Sequence, residues 1–308
     1  MQPGSGAADE LSAAAARRAG AARRRLSPNS PAGRHAEADR SGDGGPEQRF
    51  RPAHRLGWAV FAAALLAAAA PARAQDMRIA PPGVLRPGVG AEDPRRPVGE
   101  RGAAPWRALG RVQTGIGRRC TGALIGPRLV LTAAHCLMNR GRTGMVRPGS
   151  VHFLLGYHLG AWTAHAQVGA YAIGPGFAPD PVRPGPAGAD WALLVLEREV
   201  APAGHALALL GDPPPPGAPL MLAGYQQDRP EVLLAATGCH ALGIERGPGG
   251  HALLVHDCAA TRGTSGAPLL ARGPDGQWAV AGVAVAVAAD GARGHAVPAG
   301  AIGPLPPP

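Results

Sequence analysis

The sequence contains no lysine and few aromatic residues. All 31 residues counted as lysine or arginine are arginines, and aromatic residues make up 4% of the 308. The formal net charge is +10, but the arginines are scattered and are not interleaved with aromatic side chains. The charge therefore indicates a solvated basic surface, and we expect no nucleic-acid partner.

The N-terminal region has little that could be buried and one segment typical of export. Residues 1–50 have almost no bulky apolar side chains, so we expect a disordered extension. The apolar run Leu56–Ala70 has about 15 residues, whereas a membrane span needs about 20. Arginines precede this run, and Ala72-Arg73-Ala74 follows it with an A-x-A cleavage pattern. We interpret residues 51–74 as a signal peptide cleaved after Ala74, with a transmembrane anchor as the alternative. A secreted or periplasmic protein without a stable membrane anchor is expected.

No part of the mature chain shows a long, capped amphipathic helix pattern. Residues 75–104 are rich in proline and glycine and indicate an extended lead-in or a pro-segment, which could be cut near Arg95 or Arg96. Short apolar runs then alternate with turn signals, which predicts an all-β sandwich or barrel. The Pro213–Pro216 run divides the mature chain into two similar halves. The runs that predict strands include Trp106–Val112, Thr121–Ile125, Leu129–Thr132, Val151–Tyr157, Trp191–Leu196, Leu220–Tyr225, Val232–Ala236, Ala252–His256 and Trp278–Ala288.

The four cysteines all lie in the part expected to be exported: Cys120, Cys136, Cys239 and Cys258. An even number in an oxidising compartment predicts two disulfides, with three possible pairings. A zinc site is the alternative, but no close C-x-x-C pair supports it.

Two short strings carry the residue types of a serine hydrolase. Thr132–Cys136 contains His135, and Gly263–Pro268 contains Ser265 between glycines. A serine hydroxyl is a weak nucleophile until a histidine takes its proton, and backbone N–H groups must then bind the oxyanion. His135 and Ser265 are therefore the candidate base and nucleophile, and the N–H groups of Gly263 and Ser265 are candidate oxyanion donors. An ordinary turn histidine and an ordinary Gly-Ser turn are the alternatives.

A carboxylate must orient the histidine, and Asp190 is the candidate. It opens the apolar run Asp190–Leu196, and the order His135, Asp190, Ser265 is one of the chain orders of Ser-His-Asp triads. An ordinary strand-start aspartate is the alternative for this residue alone. The competing acids are Asp180, Asp212, Asp228 and Asp257.

In this order and spacing, the chain resembles the trypsin/chymotrypsin-like serine endopeptidases, and most closely their bacterial glutamyl-endopeptidase-like branch. The resemblance extends from about Trp106 to about Val297 and is carried by Cys120–Ile125, Val130–Cys136, Asp190–Leu194 and Gly263–Pro268. It implies an all-β fold of two six-stranded antiparallel β-barrels of the chymotrypsin-like type. The barrels would occupy residues 105–210 and 211–308, with the active site between them.

The resemblance also implies roles for individual residues. His135 would be the general base, Asp190 would orient it, and Ser265 would attack a peptide carbonyl to form an acyl-enzyme. Gly263 and Ser265 would form the oxyanion hole. A Cys120–Cys136 disulfide would hold the histidine loop, which favours the sequential pairing with Cys239–Cys258 as the second bridge. The expected partner is a protein or peptide substrate of a monomeric enzyme, with no cofactor and no metal.

Three departures from the family pattern change the expectations. Thr264 stands where animal trypsins have the acid that pairs with a newly cut N-terminus, so we do not expect that mode of activation. Ala284 stands where glutamyl-specific members have a histidine, which argues against glutamyl specificity. The small apolar side chains of Ala259 and Ala260 at the base of the specificity pocket favour an uncharged P1 side chain, although Arg262 at the rim could attract acidic ones. The Pro-rich end, Gly303–Pro308, leaves little room for a C-terminal helix.

Three other functions are alternatives to a serine endopeptidase. An inactive protease-like binding module would keep the fold without the reaction. An esterase of the α/β-hydrolase type would need a G-x-S-x-G elbow and the chain order Ser, acid, His, neither of which is present. A chaperone-protease would need a peptide-binding appendage, and little chain remains after the second barrel.

Overall fold

The computed structural model describes residues 87–180, 182, 185–289 and 291–303. The predicted extension 1–50, the predicted signal peptide 51–74 and the first part of the lead-in lie outside the described residues. The described chain is all β, with short 3₁₀ turns and no α-helix. No helix within these residues is long and apolar enough to cross a membrane.

The first half forms a closed antiparallel barrel of six strands. Around the barrel the strand order is β2-β3-β4-β7-β6-β5, and β5 pairs back onto β2. A two-residue strand, β1, precedes the barrel and does not belong to it. The bounds are β1 Arg96–Pro97, β2 Leu109–Thr114, β3 Arg119–Gly126, β4 Leu129–Thr132, β5 Val151–Leu155, β6 Ala164–Ile173 and β7 Ala192–Leu196.

The second half forms a second closed antiparallel barrel. Its order is β9-β10-β11-β14-β13-β12, and β12 pairs back onto β9. Two short strands extend it, because β1 pairs with β10 and β8 pairs in parallel with β13. The bounds are β8 Ala208–Leu209, β9 Pro219–Gln226, β10 Arg229–Arg246, β11 Ala252–His256, β12 Pro268–Arg272, β13 Trp278–Val287 and β14 Gly294–Pro298.

Seven 3₁₀ turns lie at strand ends and in connections of the described chain. They begin or end several of the loops that carry candidate site residues. Their bounds are Trp106–Ala108, Ala134–Leu137, Pro148–Ser150, Ala187–Ala189, Ala203–His205, Pro248–Gly250 and Ala299–Ala301. The last of these is the final described element, and residues 304–308 of the predicted Pro-rich end lie outside the described range.

The two barrels are filled differently. The first has a core of larger side chains, such as Leu109, Val112, Phe153 and Leu193, each at most 1% exposed. The second core contains many alanines that are fully or almost fully buried, among them Ala236, Ala241, Ala259, Ala260, Ala267, Ala281 and Ala296. Alanine has a high helix propensity. For the alanines that lie in strands, such as Ala236, Ala281 and Ala296, pairing around the closed barrel and not local preference determines the strand conformation.

The prediction of two six-stranded barrels is confirmed, with differences in detail. Strands β6 and β14 were not predicted, and β10 is longer than the predicted run Val232–Ala236. β6 contains polar and small residues, and its strand conformation comes from pairing with β5 and β7. The predicted division at residues 210 and 211 falls just after β8, which pairs with the second barrel.

Each barrel contains one disulfide in the sequential pairing. Cys120 bonds to Cys136, and Cys239 bonds to Cys258. None of the four cysteines is free. Their sulfurs are therefore not available as zinc thiolates, which excludes the zinc alternative built on these cysteines.

His256, the last residue of β11, is a fully buried histidine in the second barrel. Its Nδ1 accepts a hydrogen bond from the Cys258 N–H at 3.1 Å. Burial lowers the pKa of His256 to about 4, and repulsion from His295 adds to this effect. The ring is thus neutral at physiological pH, with its proton on Nε2.

We expect His256 to make the folded protein less stable in mild acid. Unfolded histidine titrates near pH 6.5, so between about pH 6.5 and pH 4 only the unfolded chain gains this proton. The unfolding free energy should fall by about 2 kcal/mol between pH 7 and pH 5 for this group. The change His256→Asn keeps an acceptor for the Cys258 N–H and should remove that component, as measured by denaturant unfolding. The control His205→Asn, in the turn Ala203–His205, should leave the pH dependence of the unfolding free energy as in the wild type. Equal pH dependence in the wild type and in His256→Asn would contradict the interpretation.

Candidate active site

His135 lies in the 3₁₀ turn Ala134–Leu137, directly after β4. Its neighbours Ala133 and Ala134 are completely buried, so the backbone of the turn packs tightly against the first barrel. The disulfide from Cys136 to Cys120 ties this turn to β3. The imidazole itself remains partly exposed at the edge of the barrel.

Asp190 lies two residues before β7, after the turn Ala187–Ala189, and contacts His135 twice. Its Oδ1 accepts the backbone N–H of His135 at 2.8 Å, and its Oδ2 accepts the Nδ1–H of the ring at 2.6 Å. β4 and β7 are paired with Thr132 opposite Ala192. This register brings the loop after β4 and the residue before β7 to one end of the barrel. The two bonds fix the ring orientation and leave its proton on Nδ1.

The competing acids have other partners or positions. Asp180 accepts the N–H of Val182 in its own loop. Asp257 accepts the N–H of His240 next to the second disulfide, and Asp212 is exposed. Asp228 is paired with Arg95. Among the acids of the described chain, Asp190 is the one whose carboxylate contacts the His135 ring.

Ser265 lies in the loop between β11 and β12 of the second barrel, and the first barrel holds it. The N–H of Thr121 in β3 donates to the Ser265 carbonyl at 2.9 Å. Gly266 has φ +80°, and a Cβ there would lie 2.1 Å from Thr132 Oγ1 and 2.4 Å from the Thr121 carbonyl oxygen. Only glycine permits this approach, which places the serine beside the histidine turn.

His135 and Ser265 line the same cavity of about 660 Å³. No hydrogen bond joins the ring to the Ser265 hydroxyl within the described residues. Such bonds are often long in unliganded serine hydrolases and shorten when substrate binds. The cavity is thus a place where an acyl group could contact both side chains.

The backbone N–H groups of Gly263 and Ser265 have no protein acceptor within the described chain, and the same holds for Arg262 in this loop. The N–H of Thr264 donates to the Thr261 carbonyl, and that of Gly266 donates to the Ala284 carbonyl. Gly263 has φ +93°, and a Cβ there would lie 2.3 Å from the Tyr225 carbonyl oxygen. Two free donors beside a serine are an arrangement that can bind an oxyanion.

The wall of the cavity beyond Ser265 includes small apolar residues, but four arginines also line the cavity: Arg118, Arg119, Arg142 and Arg262. Of the predicted pocket residues, Ala260, Arg262 and Ala284 line the cavity, whereas Ala259 is buried behind it. His256 also lines it, and its Nε2 has no partner within the described chain. The remaining apolar lining residues include Leu222, Val285, Ala286 and Val287.

Comparison with known proteins agrees with this geometry. The family model of the trypsin-like peptidase domain matches residues 120–283, which is more than half of the chain. The chain belongs to the trypsin-like peptidase family. It is therefore a serine protease that acts on peptide substrates, and the predicted family is confirmed.

A solved structure described as Glu endopeptidase in complex with MPD is similar to this peptidase. The TM-score is 0.55 at 20% sequence identity, and the match covers 70% of this chain and 94% of that chain. At this identity the likeness shows the fold. It confirms the chymotrypsin-like arrangement of two barrels and does not bear on specificity.

Some residues near the site were not singled out from the sequence. Thr121 contacts the serine loop from the first barrel, and Gln226 and Arg95 lie behind it. Asp228 was considered only as a competing acid, and Arg95 only as a cleavage position. The burial of Arg95, which among the described arginines is shared by Arg111, cannot be predicted from a single sequence.

The approach of Gly266 to the first barrel leads to a test of the peptidase. We expect Gly266→Ala to destabilise the fold by at least about 1–2 kcal/mol from its positive φ alone, and overlap with Thr132 adds to this. Peptidase activity should fall strongly because Ser265 moves away from His135. Gly276→Ala has a similar φ of +75° but open space around it, so it should keep full activity. Wild-type stability and activity in Gly266→Ala would show that the contact is not required.

Proposed function

We propose that this peptidase is an exported serine endopeptidase whose His135, Asp190 and Ser265 form a catalytic triad. The observation that carries the proposal is the pair of hydrogen bonds that His135 donates to Asp190, since they orient the ring at a cavity that Ser265 also lines. A carboxylate in this position holds the useful tautomer and stabilises the imidazolium that forms during the reaction.

The reaction proceeds through an acyl-enzyme. His135 Nε2 takes the proton of the Ser265 hydroxyl while the oxygen attacks the scissile carbonyl carbon. The C–N bond then breaks, and the imidazolium gives its proton to the leaving amine. A water molecule enters, gives a proton to His135 and attacks the ester carbonyl carbon. The C–O bond to Ser265 then breaks and releases the acid, and the imidazolium returns its proton to the Ser265 oxygen. Asp190 stays ionised throughout.

The oxyanion of each tetrahedral intermediate is bound by the N–H groups of Gly263 and Ser265. Their lack of protein acceptors supports this role, since a committed donor would have to break a bond first. Preorganised donors of this kind contribute about 100- to 1,000-fold each to kcat.

Export is supported by the two disulfides, which are typical of oxidising compartments. The predicted signal peptide at residues 51–74 would direct the chain to the periplasm or the medium. The mature protein would begin at Gln75 and act as a monomer without a membrane anchor.

The proposed P1 preference is for uncharged side chains. Ala260 and Ala284 offer no charge to a P1 residue, and the nearby His256 ring is neutral because its pKa is about 4. A carboxylate or guanidinium buried against these walls would lack a partner, which is costly. Arg262 is exposed at the rim and stays solvated.

The triad is tested by substitution with a matched control. We expect Ser265→Ala to lower kcat about 10⁶-fold and Asp190→Asn about 10⁴-fold. Asp212→Asn, an exposed acid, should leave kcat unchanged. Peptide hydrolysis by the purified mature protein and labelling by a fluorophosphonate give the measurements.

Two outcomes would contradict the proposal. Equal cleavage by Ser265→Ala would exclude this nucleophile, and an unlabelled but folded wild type would indicate an inactive protease-like binding module. N-terminal sequencing of the labelled band from the exported fraction tests the export step. A start upstream of Leu56 would rule out cleavage after Ala74.

The P1 preference is tested with peptides that differ only at that position. We expect the best uncharged residue to exceed glutamate and arginine in kcat/KM by about 100-fold or more, because an unpaired buried charge costs several kcal/mol. Ala284→His should raise kcat/KM for the glutamate peptide. Ala284→Leu introduces a side chain similar in size to histidine but without a charge, so it should not. A wild type that prefers glutamate would show that the neutral wall does not set specificity.

A further inference from the structure

Arg95 is a buried charge that the proposed reaction does not use. It is 1% exposed and lies in residues 87–98, which we call the N-terminal strap. The strap runs along the second barrel before the chain enters the first. A buried guanidinium is unfavourable unless it is paired, so its partners indicate what the strap holds together.

Two carboxylates bind the guanidinium, each through two bonds. Asp93 accepts from Nε and Nη2, both at 2.8 Å. Asp228 accepts from Nη1 at 3.1 Å and from Nη2 at 2.6 Å. Burial would lower the pKa of Arg95, but these carboxylates outweigh it and the pKa is raised. The cation therefore stays charged in a fixed orientation.

A third partner connects Arg95 to the loop that carries the serine. Nη1 also donates to Gln226 Oε1 at 2.5 Å, and the same oxygen accepts the backbone N–H of Thr261 at 2.8 Å. The Thr261 hydroxyl donates to Asp228 Oδ1 at 2.9 Å. Gln226 is completely buried. One guanidinium thus fixes the end of β9 and the first residue of the loop 261–265.

From Thr261 the connection continues to the free donors. The Thr261 carbonyl accepts the N–H of Thr264 at 3.2 Å, and the Arg262 carbonyl accepts that of Gln227 at 2.6 Å. These bonds hold the backbone on both sides of Gly263. The Thr264 hydroxyl is buried without a partner within the described chain. The residue before the serine therefore does not anchor the loop through its side chain.

The strap is built into the second barrel at several other points. The Gly88 carbonyl accepts the N–H of Ala260 at 2.7 Å, next to the wall of the cavity. Val89 is buried in the core of the barrel. β1 pairs with β10, and the Val98 N–H donates to the Leu233 carbonyl at 3.0 Å. Cleavage within the strap would therefore remove bonds on the cavity side of the barrel.

We propose that Arg95 is a positioning residue that holds the loop 261–265 so that the Gly263 and Ser265 N–H groups face the substrate oxyanion. The strap is then part of the active enzyme, and a cut at Arg95 or Arg96 inactivates it. This inference rests on the proposed function, because it assigns a purpose to the same two donors.

The test replaces Arg95 and a distant control arginine in the full chain. Arg95→Gln should lower kcat about 100-fold or more, the size of one lost oxyanion donor, with KM changed less than about threefold. Arg95→Lys cannot bind both carboxylates through two bonds each, so its kcat should lie between those of Arg95→Gln and the wild type. Arg147→Gln, at an exposed position before β5 and outside the strap, should match the wild type. Cooperative thermal unfolding shows that each variant is folded.

A second measurement separates positioning from a general structural role. A peptide aldehyde forms a hemiacetal whose oxyanion needs the two donors, whereas the corresponding peptide alcohol does not. Aldehyde affinity should fall with kcat in Arg95→Gln while alcohol affinity stays the same. A parallel loss of both affinities, or a folded variant with wild-type kcat, would overturn the inference.

One further variant covers the case in which Arg95→Gln does not fold. Asp228→Asn removes a partner whose side chain is 39% exposed and leaves Arg95 paired with Asp93. If the inference is correct, Asp228→Asn should lower kcat while KM changes little. A wild type that Ser265→Ala inactivates, together with a fully active Asp228→Asn, would refute the role of the Arg95–Asp228 pair in holding the loop and leave the triad intact.

Discussion

The proposed catalytic arrangement depends on the close approach of a second-barrel loop to strands of the first barrel. Gly266 lies where any side chain would overlap Thr132, and Thr121 donates its N–H to the Ser265 carbonyl. Thr132 in turn donates its hydroxyl to the Thr121 carbonyl at 2.7 Å. His135 follows three residues after Thr132. The contacts of Thr121 with the serine loop, together with the approach of Gly266 to Thr132, therefore set the distance between the proposed nucleophile and its base.

Two buried basic side chains of the second barrel show opposite solutions to the cost of burial. Arg95 keeps its charge because Asp93 and Asp228 surround it. His256 has no carboxylate contact, and burial keeps it neutral. The first solution makes a rigid junction behind the serine loop. The second keeps the cavity wall near Ala260 free of fixed charge, which is why we expect uncharged P1 residues.

Much of the fold and most of the candidate site residues could be predicted from the sequence. Alternating short apolar runs, turn residues and four cysteines indicated the barrels and, with the family resemblance, the disulfides. The strings around His135, Asp190 and Ser265 identified the candidate site residues. Strands such as β6 could not be predicted, because their small and polar residues become strands only through barrel pairing. Two partners of Arg95, Gln226 and Asp228, were equally hidden, since they are separated from it by more than 130 positions.

What could and could not be predicted from the sequence depends on how far apart along the chain the interacting residues lie. Residue type and local spacing decide which side chains can act as base, nucleophile and disulfide partner, because that chemistry belongs to the residues and their near neighbours. The tertiary structure alone decides that β4 and β7 bring Asp190 to His135, and that the N-terminal strap reaches the serine loop. These contacts join distant segments, and only the closed barrels hold such segments within hydrogen-bond distance.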